Sequence, residues 1–214
     1  MKEKEYKIIF FDWSMTLSKS LFWSQLADKK HPRHHWHDNI ISYVFKKNDS
    51  MVKDWMTGHI DMEFVAKSIS QEFGYSKDLV LSDLIESSKG MKLVDRRIIK
   101  MINTIRERGT KCVIATDNMD TFIKYTRPSL CLDKYFDDFL VSYNMGIMKF
   151  NVTDSQIPFF DDYLQQEKVK YEDVLLIDDS CDTSGVYNKL GFDILQILNS
   201  ADFVEKLTKI AFTF

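Results

Sequence analysis

Three apolar stretches of the chain each end in polar side chains that can do chemistry. Residues 6–11 are followed by Asp12, residues 111–115 by Thr116, Asp117 and Asn118, and residues 174–177 by Asp178 and Asp179. In an open α/β sheet, ligands bind in the crevice beyond the carboxyl ends of the strands, so these side chains are expected to meet there. A buried carboxylate is too costly to persist without a partner or a metal ion. One strand-end Asp alone would equally fit a turn cap, but three such ends together predict a functional site.

One cation accompanies these acidic and hydroxyl groups. Lys149 is the only Lys or Arg between Lys134 and Lys168. Phosphoryl transfer to an aspartate requires a carboxylate nucleophile, a hydroxyl and a cation that hold the phosphoryl oxygens, and an acidic pair. The acidic pair and the nucleophile together suit a hard cation that prefers oxygen ligands, such as Mg²⁺. The residue types therefore indicate phosphoryl chemistry.

The order and spacing of these residues resemble the haloacid dehalogenase (HAD) superfamily. Its first motif is Asp-x-Asp-x-Thr, and a Ser or Thr, a Lys and an acidic pair follow it along the chain. The resemblance covers nearly the whole chain, including an insertion after the first motif where this family often places a helical cap. It implies that Asp12 is the nucleophile, that Thr116 and Lys149 bind the phosphate, and that Asp178 and Asp179 bind the metal.

The same resemblance describes the surroundings of the nucleophile. It implies a bound Mg²⁺ whose ligands include the backbone carbonyl of Ser14, two residues after Asp12. Asp117 and Asn118, which follow Thr116, belong to the predicted phosphate-binding segment. The partner that the resemblance implies is a small phosphorylated substrate, and the activity is that of a phosphatase or a phosphotransferase.

Ser14 departs from the family pattern. The phosphatases of the family carry a second Asp here, which protonates the leaving group and later activates water, whereas this chain has Ser14. A hydroxyl cannot do this near neutral pH, and general acid–base help is typically worth about 10²–10⁴ in rate. Ser14 stands with Asp12 and Lys149 among the candidate catalytic residues, and we expect slow turnover of alkyl phosphate esters.

Two smaller departures concern the acidic pair and the lysine. The family often has an acidic or amide residue where Thr183 stands, and Asp182 lies one place earlier. Which members of the group Asp178, Asp179 and Asp182 ligate the metal is therefore open. A Pro commonly follows the motif Lys, and here Phe150 takes its place.

Two other functions stay open on the sequence. Carbon–halogen or carbon–phosphorus hydrolysis could proceed at the same nucleophile; metal independence would indicate the first, and a catalytic lysine from the insertion, such as Lys46, Lys47 or Lys53, the second. The acidic pair favours phosphorus over halogen, because the dehalogenases attack carbon without a metal. Alternatively, Ser14 marks lost catalysis, and the protein binds a phosphorylated ligand or a partner without turnover.

Composition limits the classes of partner. The chain has 214 residues, of which 44% are hydrophobic and 14% aromatic, enough to bury a sizeable core. The formal net charge is −3 and no basic block occurs, so nucleic acid is not an expected partner.

The cysteines and the apolar runs bear on location. Cys112, Cys131 and Cys181 are widely spaced, which indicates a reducing compartment and no structural zinc. No run reaches the roughly 18 apolar residues that a membrane span needs, and the charged start does not resemble a signal peptide. We expect a cytoplasmic protein that does not associate with membranes and is a monomer or a homodimer.

Strand and helix signals alternate once the insertion is set aside. They predict an α/β fold with a doubly wound, mostly parallel five-stranded sheet, which is the Rossmann-like core of the HAD resemblance. The predicted core comprises residues 1–17 and 90–214, and a small helical cap domain inserted after the first strand comprises residues 18–89.

Helix boundaries in the core follow from capping and breaking residues. Asn118 is expected to cap a helix that Pro128 ends, and Asp154 to start the next. Ser180 is expected to cap a third helix and Ser200 the last one.

The insertion is predicted to be helical throughout. Stretches such as 39–45 and 62–73 carry apolar residues at helical spacing, consistent with a small bundle over the strand ends. Three tryptophans of the insertion are more typical of a core than of a pocket: Trp23, Trp36 and Trp55.

A histidine-rich segment occupies residues 31–37 of the insertion. Two pairs are spaced for one helix face, His31 with His35 and His34 with His37. They allow a metal-site hypothesis, although Pro32 interrupts the segment and no cysteine is close in sequence. Arg33 or a histidine could instead contact an anionic substrate, or the whole segment could be a solvated surface.

Overall fold

A computed structural model describes residues 4–212 of the chain. One sheet contains all five strands, in the order β3-β2-β1-β4-β5. The strands are β1 Ile8–Phe11, β2 Lys111–Thr116, β3 Asp138–Val141, β4 Val174–Asp178 and β5 Asp193–Gln196. Every neighbouring pair is parallel. The predicted α/β class and five-stranded sheet are confirmed, with a sheet that is parallel throughout rather than mostly so.

Helices connect and cover these strands. The insertion contains α1 His37–Lys47, α2 Asp49–Met56, α3 Met62–Phe73 and α4 Lys77–Lys89. The remainder contains α5 Arg97–Glu107, a π-helix Phe122–Thr126 that leads into α6 Arg127–Ser129, α7 Ser142–Met145, α8 Pro158–Glu167, α9 Val186–Leu190 and α10 Ser200–Phe212. No helix within residues 4–212 has the length and apolar character to cross a lipid bilayer.

The central strand β1 brings three strand ends to one level. All four of its residues are buried, as expected for a parallel strand that is covered on both faces. Phe11 pairs with Ile114 of β2 on one side and with Ile177 of β4 on the other. The backbone N–H of Asp12 then donates to the carbonyl of Ile177 at 2.9 Å. The residues that follow these strands are therefore neighbours in space.

Alternating side chains of β1 contribute to two separate cores. Ile9 and Phe11 pack with residues of α5 and α10 on one face of the sheet. Ile8 and Phe10 pack with residues of α8 and α9 on the other face. This is the period-two alternation of a strand, and it holds β1 between two helical layers.

The insertion has a core of its own. Trp23, Trp36 and Trp55 are buried there with apolar residues of α1, α3 and α4. The helical stretches expected at 39–45 and 62–73 lie within α1 and α3. The Asp61 side chain caps α3 by accepting from the Phe64 N–H at 2.9 Å. Met119, which follows β2, joins the same cluster and so connects the insertion to the sheet.

The two ends of the insertion lie side by side, where the chain passes from β1 into the insertion and from the insertion to α5. Ser18 forms an antiparallel bridge with Leu93. The Val94 N–H donates to the carbonyl of Leu17 at 2.9 Å. These contacts lie close to the limits that the sequence predicts for the inserted domain.

Two of the predicted helix limits around β2 and β3 are wrong. Pro128 does not end its helix but lies in the first turn of α6, after the π-helix. A proline is tolerated there because its missing N–H would have no helical partner at that position. The helix expected from Asp154 begins only at Pro158, which takes the first helical position of α8 for the same reason.

Two predicted caps are also wrong, because a neighbouring side chain takes the role. Asn199, not Ser200, caps α10, since its Oδ1 accepts from the N–H groups of Ala201 at 3.0 Å and Asp202 at 3.1 Å. Ser180 does not cap α9, which begins at Val186 after a turn of five residues.

Candidate active site

One ammonium group bridges two strand-end carboxylates. Lys149 Nζ donates to Asp12 Oδ1 at 2.5 Å and to Asp178 Oδ2 at 2.6 Å. All three residues are at most 4% exposed. Asp178 Oδ1 also accepts from the Ser180 N–H at 2.8 Å, which fixes the plane of that carboxylate. The structure thus brings together residues from β1, β4 and the loop after α7 that are far apart in sequence.

Burial and the neighbouring charges both shift the pKa values of this cluster. Burial raises the pKa of Asp12 to about 7, and the charge of Asp178 adds to this, while Lys149 acts in the opposite direction. For Lys149, burial alone would lower the pKa, but the charges of Asp12 and Asp178 outweigh it and the net direction is upward. Lys149 therefore stays cationic, and the site contains more carboxylates than cations.

The acidic cluster fits a small divalent cation. One carboxylate oxygen from each of Asp12, Asp178 and Asp179 lies within 4.8 Å of the other two. Two oxygens that both lie about 2.0–2.1 Å from one Mg²⁺ are at most about 4.2 Å apart, so the carboxylates need only a small adjustment to bind such an ion. Burial and the neighbouring Asp178 also raise the pKa of Asp179, and a divalent cation would relieve this repulsion. The donor set, all oxygen and mostly anionic, suits Mg²⁺ better than a softer metal.

Asp182 does not belong to this cluster. Its Oδ1 accepts from the Ser184 N–H at 2.9 Å and its Oδ2 from the Tyr187 N–H at 2.9 Å. Burial would raise the pKa of Asp182, but hydrogen bonds from the Ser184 hydroxyl and from backbone N–H groups lower it overall. Of the three acidic residues considered in the sequence, Asp178 and Asp179 lie with Asp12, whereas Asp182 organises the turn before α9.

Thr116 presents an unsatisfied hydroxyl at the end of β2. The residue is fully buried, and its Oγ1 has no hydrogen-bond partner within residues 4–212. A buried hydroxyl without a partner carries a desolvation cost of about 1–3 kcal/mol. An oxygen-rich ligand that accepts its proton would remove that cost.

The two residues after Thr116 are engaged with the protein. Asp117 Oδ1 accepts from the Lys149 N–H at 3.0 Å. The Asn118 N–H donates to Ser142 Oγ at 2.9 Å, and Asn118 Oδ1 accepts from the Met119 N–H at 2.9 Å. Their side chains therefore shape the site, and burial raises the pKa of the Asp117 carboxyl despite the nearby Lys149.

Ser14 lies on the loop that follows the nucleophile position. The loop is closed by the Leu17 N–H, which donates to the Asp12 carbonyl at 3.3 Å, and by the Ser18 N–H, which donates to Trp13 at 2.8 Å. Ser14 is exposed, and its hydroxyl takes part in no hydrogen bond among the described residues. Within residues 4–212, no side chain is hydrogen-bonded to this hydroxyl in a way that would make it an acid–base catalyst.

Contacts between the insertion and the β2 end were not foreseen from the sequence. Trp55 Nε1 donates to Asp120 Oδ1 at 2.8 Å, and Lys124 Nζ donates to Asp120 Oδ2 at 2.8 Å. Ser142 Oγ, which also holds Asn118, donates to the Met56 carbonyl at 2.7 Å. An acidic residue followed four places later by a lysine was the only available signal for Asp120, and it is common on any helix surface.

The histidine-rich segment forms no metal cluster. The acidic cluster at Asp12 is the only group of three or more possible ligand residues that residues 4–212 contain. His34 Nδ1 lies 2.7 Å from the Leu26 carbonyl oxygen. Arg33 forms a bidentate salt bridge with the fully buried Asp83: Nε donates to Oδ2 at 2.7 Å and Nη2 to Oδ1 at 2.5 Å. Arg33 thus neutralises a buried carboxylate of the insertion, which leaves it poorly suited to bind an anionic substrate.

The sheet order and the inserted helices match the fold of solved HAD-like proteins, which is the fold that the motifs predicted. No family model matches the sequence, and no curated protein matches it either.

Three solved structures illustrate the likeness. A HAD-like family hydrolase from Porphyromonas gingivalis is 16% identical, with 96% of this chain and 97% of the other covered and a TM-score of 0.70. A HAD family enzyme from Bacteroides thetaiotaomicron, solved in complex with magnesium and inorganic phosphate, is 15% identical over 89% and 93% with a TM-score of 0.60. The L-2-haloacid dehalogenase from Xanthobacter autotrophicus is 11% identical over 90% and 77% with a TM-score of 0.63. At identities this low, the structural match establishes only the fold, and the activity has to be argued from the site.

Proposed function

We propose that the protein is a Mg²⁺-dependent HAD-like hydrolase, a phosphatase or phosphotransferase that acts on a small phosphorylated metabolite through an aspartyl-phosphate at Asp12. The observation that carries the proposal is the buried contact of Lys149 Nζ with Asp12 at 2.5 Å and Asp178 at 2.6 Å. It holds one oxygen of Asp12 in place. The other oxygen has no hydrogen bond from any residue in 4–212, as a nucleophile requires.

The proposed reaction has two displacements at phosphorus. In the first, a carboxylate oxygen of Asp12 forms a bond to phosphorus while the bond from phosphorus to the leaving-group oxygen breaks. In the second, water or an acceptor hydroxyl attacks phosphorus, the bond to Asp12 breaks, and the free carboxylate returns. The Thr116 hydroxyl and the Lys149 ammonium would bind the phosphoryl oxygens, and donors fixed in a buried site stabilise developing charge better than water does.

Residues around this pair complete the proposed phosphate and metal sites. Asp12, Asp178 and Asp179, together with the Ser14 carbonyl, would hold Mg²⁺, and the bound ion supplies positive charge that offsets the phosphoryl group and the acidic cluster. Asp117 and Asn118 would contribute to phosphate binding through the backbone of their segment, because their side-chain oxygens already accept hydrogen bonds from the protein.

The insertion would serve as the cap of this site. We assign the core to residues 1–17 and 90–214 and the cap to residues 18–89, in line with the bridge between Ser18 and Leu93. A cap over the strand ends excludes water while the nucleophile is engaged, which strengthens electrostatic interactions with the substrate. The contacts of Trp55 with Asp120 and of Ser142 with Met56 support a closed arrangement.

The proposal is tested by phosphate release from a broad panel of phosphorylated metabolites, with Mg²⁺ and with a chelator. We expect release that depends on Mg²⁺. Asp12→Asn should reduce it to background, because an amide is not a nucleophile, while the circular dichroism spectrum stays unchanged. Asp38→Asn is the matched control, since the Asp38 side chain is 99% exposed, and it should leave the rate unchanged.

Other outcomes distinguish the alternative functions. Full activity in Asp12→Asn would contradict the mechanism. Inorganic phosphate binding without turnover of any compound would favour a protein that binds a phosphorylated ligand. Halide release without a metal would indicate carbon–halogen hydrolysis, and a carbon–phosphorus substrate would need a lysine such as Lys46, Lys47 or Lys53, all of which are exposed.

A further inference from the structure

The backbone of Lys149 is held by two side chains rather than by secondary structure. The residue follows α7 and Gly146, whose φ of 70° ends that helix in the left-handed conformation. Its N–H donates to Asp117 Oδ1 at 3.0 Å, and its carbonyl accepts from the Tyr187 hydroxyl at 2.6 Å. These are the only hydrogen bonds of the Lys149 main chain within residues 4–212.

Tyr187 is itself rigidly placed. It is fully buried in α9, and its ring centroid lies 5.5 Å from that of Phe150, 6.3 Å from Phe160 and 5.1 Å from Phe192. Its N–H donates to Asp182 Oδ2 at 2.9 Å. Its hydroxyl donates to the Lys149 carbonyl, so Tyr187 connects the turn that Asp182 organises to the candidate active site.

We propose that Tyr187 is a positioning residue which, together with Asp117, sets the place of the Lys149 ammonium between Asp12 and Asp178. The expected effect on catalysis rests on the proposed function. The two hydrogen bonds that hold the Lys149 backbone, here called the Lys149 clamp, do not depend on that function. The Lys149 side chain is only 4% exposed, so its otherwise flexible stem has little room to compensate for a shift of the backbone, and the ammonium follows that backbone. A misplacement of about 1 Å can cost about 10²-fold in rate in an active site.

Tyr187→Phe removes the hydroxyl and keeps the ring in its aromatic cluster. The Lys149 carbonyl then loses its one side-chain donor while it remains buried. We expect amide hydrogen exchange in residues 147–151 to become about tenfold faster, and the affinity for inorganic phosphate in the presence of Mg²⁺ to fall about tenfold.

Tyr163→Phe is the matched control. Tyr163 is 8% exposed on α8 and packs against Phe10 in the same core, with ring centroids 5.9 Å apart. Its hydroxyl has no hydrogen bond to another residue of the described chain. Loss of this hydroxyl should leave both the exchange of residues 147–151 and the phosphate affinity unchanged.

A double-mutant cycle with Lys149→Ala separates positioning from general structural support. If Tyr187 acts through the ammonium, Tyr187→Phe should cause no further loss of phosphate affinity when Lys149 is already Ala. Additive losses would show that the hydroxyl supports the site by another route and would overturn the proposal.

The exchange measurement keeps the two proposals distinguishable. If amide exchange of residues 147–151 is unchanged in Tyr187→Phe, the Tyr187 hydroxyl does not hold the Lys149 backbone, and the positioning proposal is wrong whatever the activity of the protein. A wild-type protein that binds no phosphate and releases none contradicts the proposed function. In that case the exchange comparison of Tyr187→Phe with Tyr163→Phe still decides whether the hydroxyl holds Lys149.

Discussion

At the residue scale, the proposed function predicts that Ser14 limits which phosphate compounds the site cleaves. A carboxylic acid at this position would protonate the departing oxygen, but Ser14 is an exposed hydroxyl. A poor alkoxide would then have to leave unprotonated, and only compounds with a good leaving group avoid that cost. Acyl and aryl phosphates should therefore react faster than alkyl phosphates, with a steep dependence on the pKa of the leaving group.

Ser14→Asp tests this argument. We expect the substitution to restore part of the missing acid–base help, with rate gains for alkyl esters of about tenfold or more and a shallower dependence on the leaving group. The measurement is a series of rates for both proteins against leaving groups of graded pKa. Met15→Asp is a suitable control because it adds the same charge one residue further along the same exposed loop. Equal slopes for wild type and Ser14→Asp would mean that another group already donates the proton.

Sequence reasoning at this scale reached the residues that end apolar strands and missed those that act through backbone contacts. Asp12, Thr116 and Asp178 end such strands, so their neighbourhood follows from the parallel sheet. Tyr187 gives no such signal, since an aromatic residue in a short helix is typical of a core. Its contact with the Lys149 carbonyl spans 38 positions and depends on how α9 packs against the loop after α7.

At the element scale, strands were predicted better than helix starts. A buried parallel strand is an unbroken apolar run, and every strand of the sheet except β5 contains such a run. A helix start depends instead on which of several polar side chains captures the first free N–H groups. Asn199 takes that role from Ser200, and the turn bonded by Asp182 displaces the start expected at Ser180.

The packing contact between the end of α2 and α7 can be tested by substitution of a glycine. Gly58 follows α2 with a φ of +75°, and a Cβ at this position would lie 2.4 Å from the Tyr143 carbonyl oxygen in α7. Gly58→Ala therefore adds a steric overlap to a strained backbone. We expect a loss of about 1–2 kcal/mol in the free energy of unfolding from the backbone, and of about 1–3 kcal/mol more from the overlap.

Gly74→Ala supplies the comparison for this prediction. Gly74 has a φ of +69°, but a Cβ there would meet nothing within 4 Å. Urea unfolding of the two variants isolates the overlap, because both carry the same backbone strain. Equal losses would show that the contact between α2 and α7 is not tightly packed in solution.

At the scale of the whole molecule, the candidate site concentrates negative charge at a point where the sheet meets the insertion. The chain as a whole has a net charge of only −3, yet Asp12, Asp117, Asp178 and Asp179 all surround one lysine. Their mutual repulsion opposes folding, and a bound cation would relieve it. Metal binding should therefore appear in the stability of the entire protein as well as in any activity.

Magnesium should raise the thermal unfolding temperature. A ligand that binds only the folded state stabilises it by about 2.7 kcal/mol at 100 times its Kd, which for a chain of this size is on the order of 5–10 °C. Chelation should reverse the shift. Asp179→Asn should abolish most of it, because Asp179 is one of the three clustered carboxylates. Asp182→Asn should lower the starting temperature through the weakened turn but retain the shift, because Asp182 bonds Ser184 and Tyr187 instead. If Mg²⁺ raises the unfolding temperature of the wild type and of Asp179→Asn equally, the metal does not bind at this cluster.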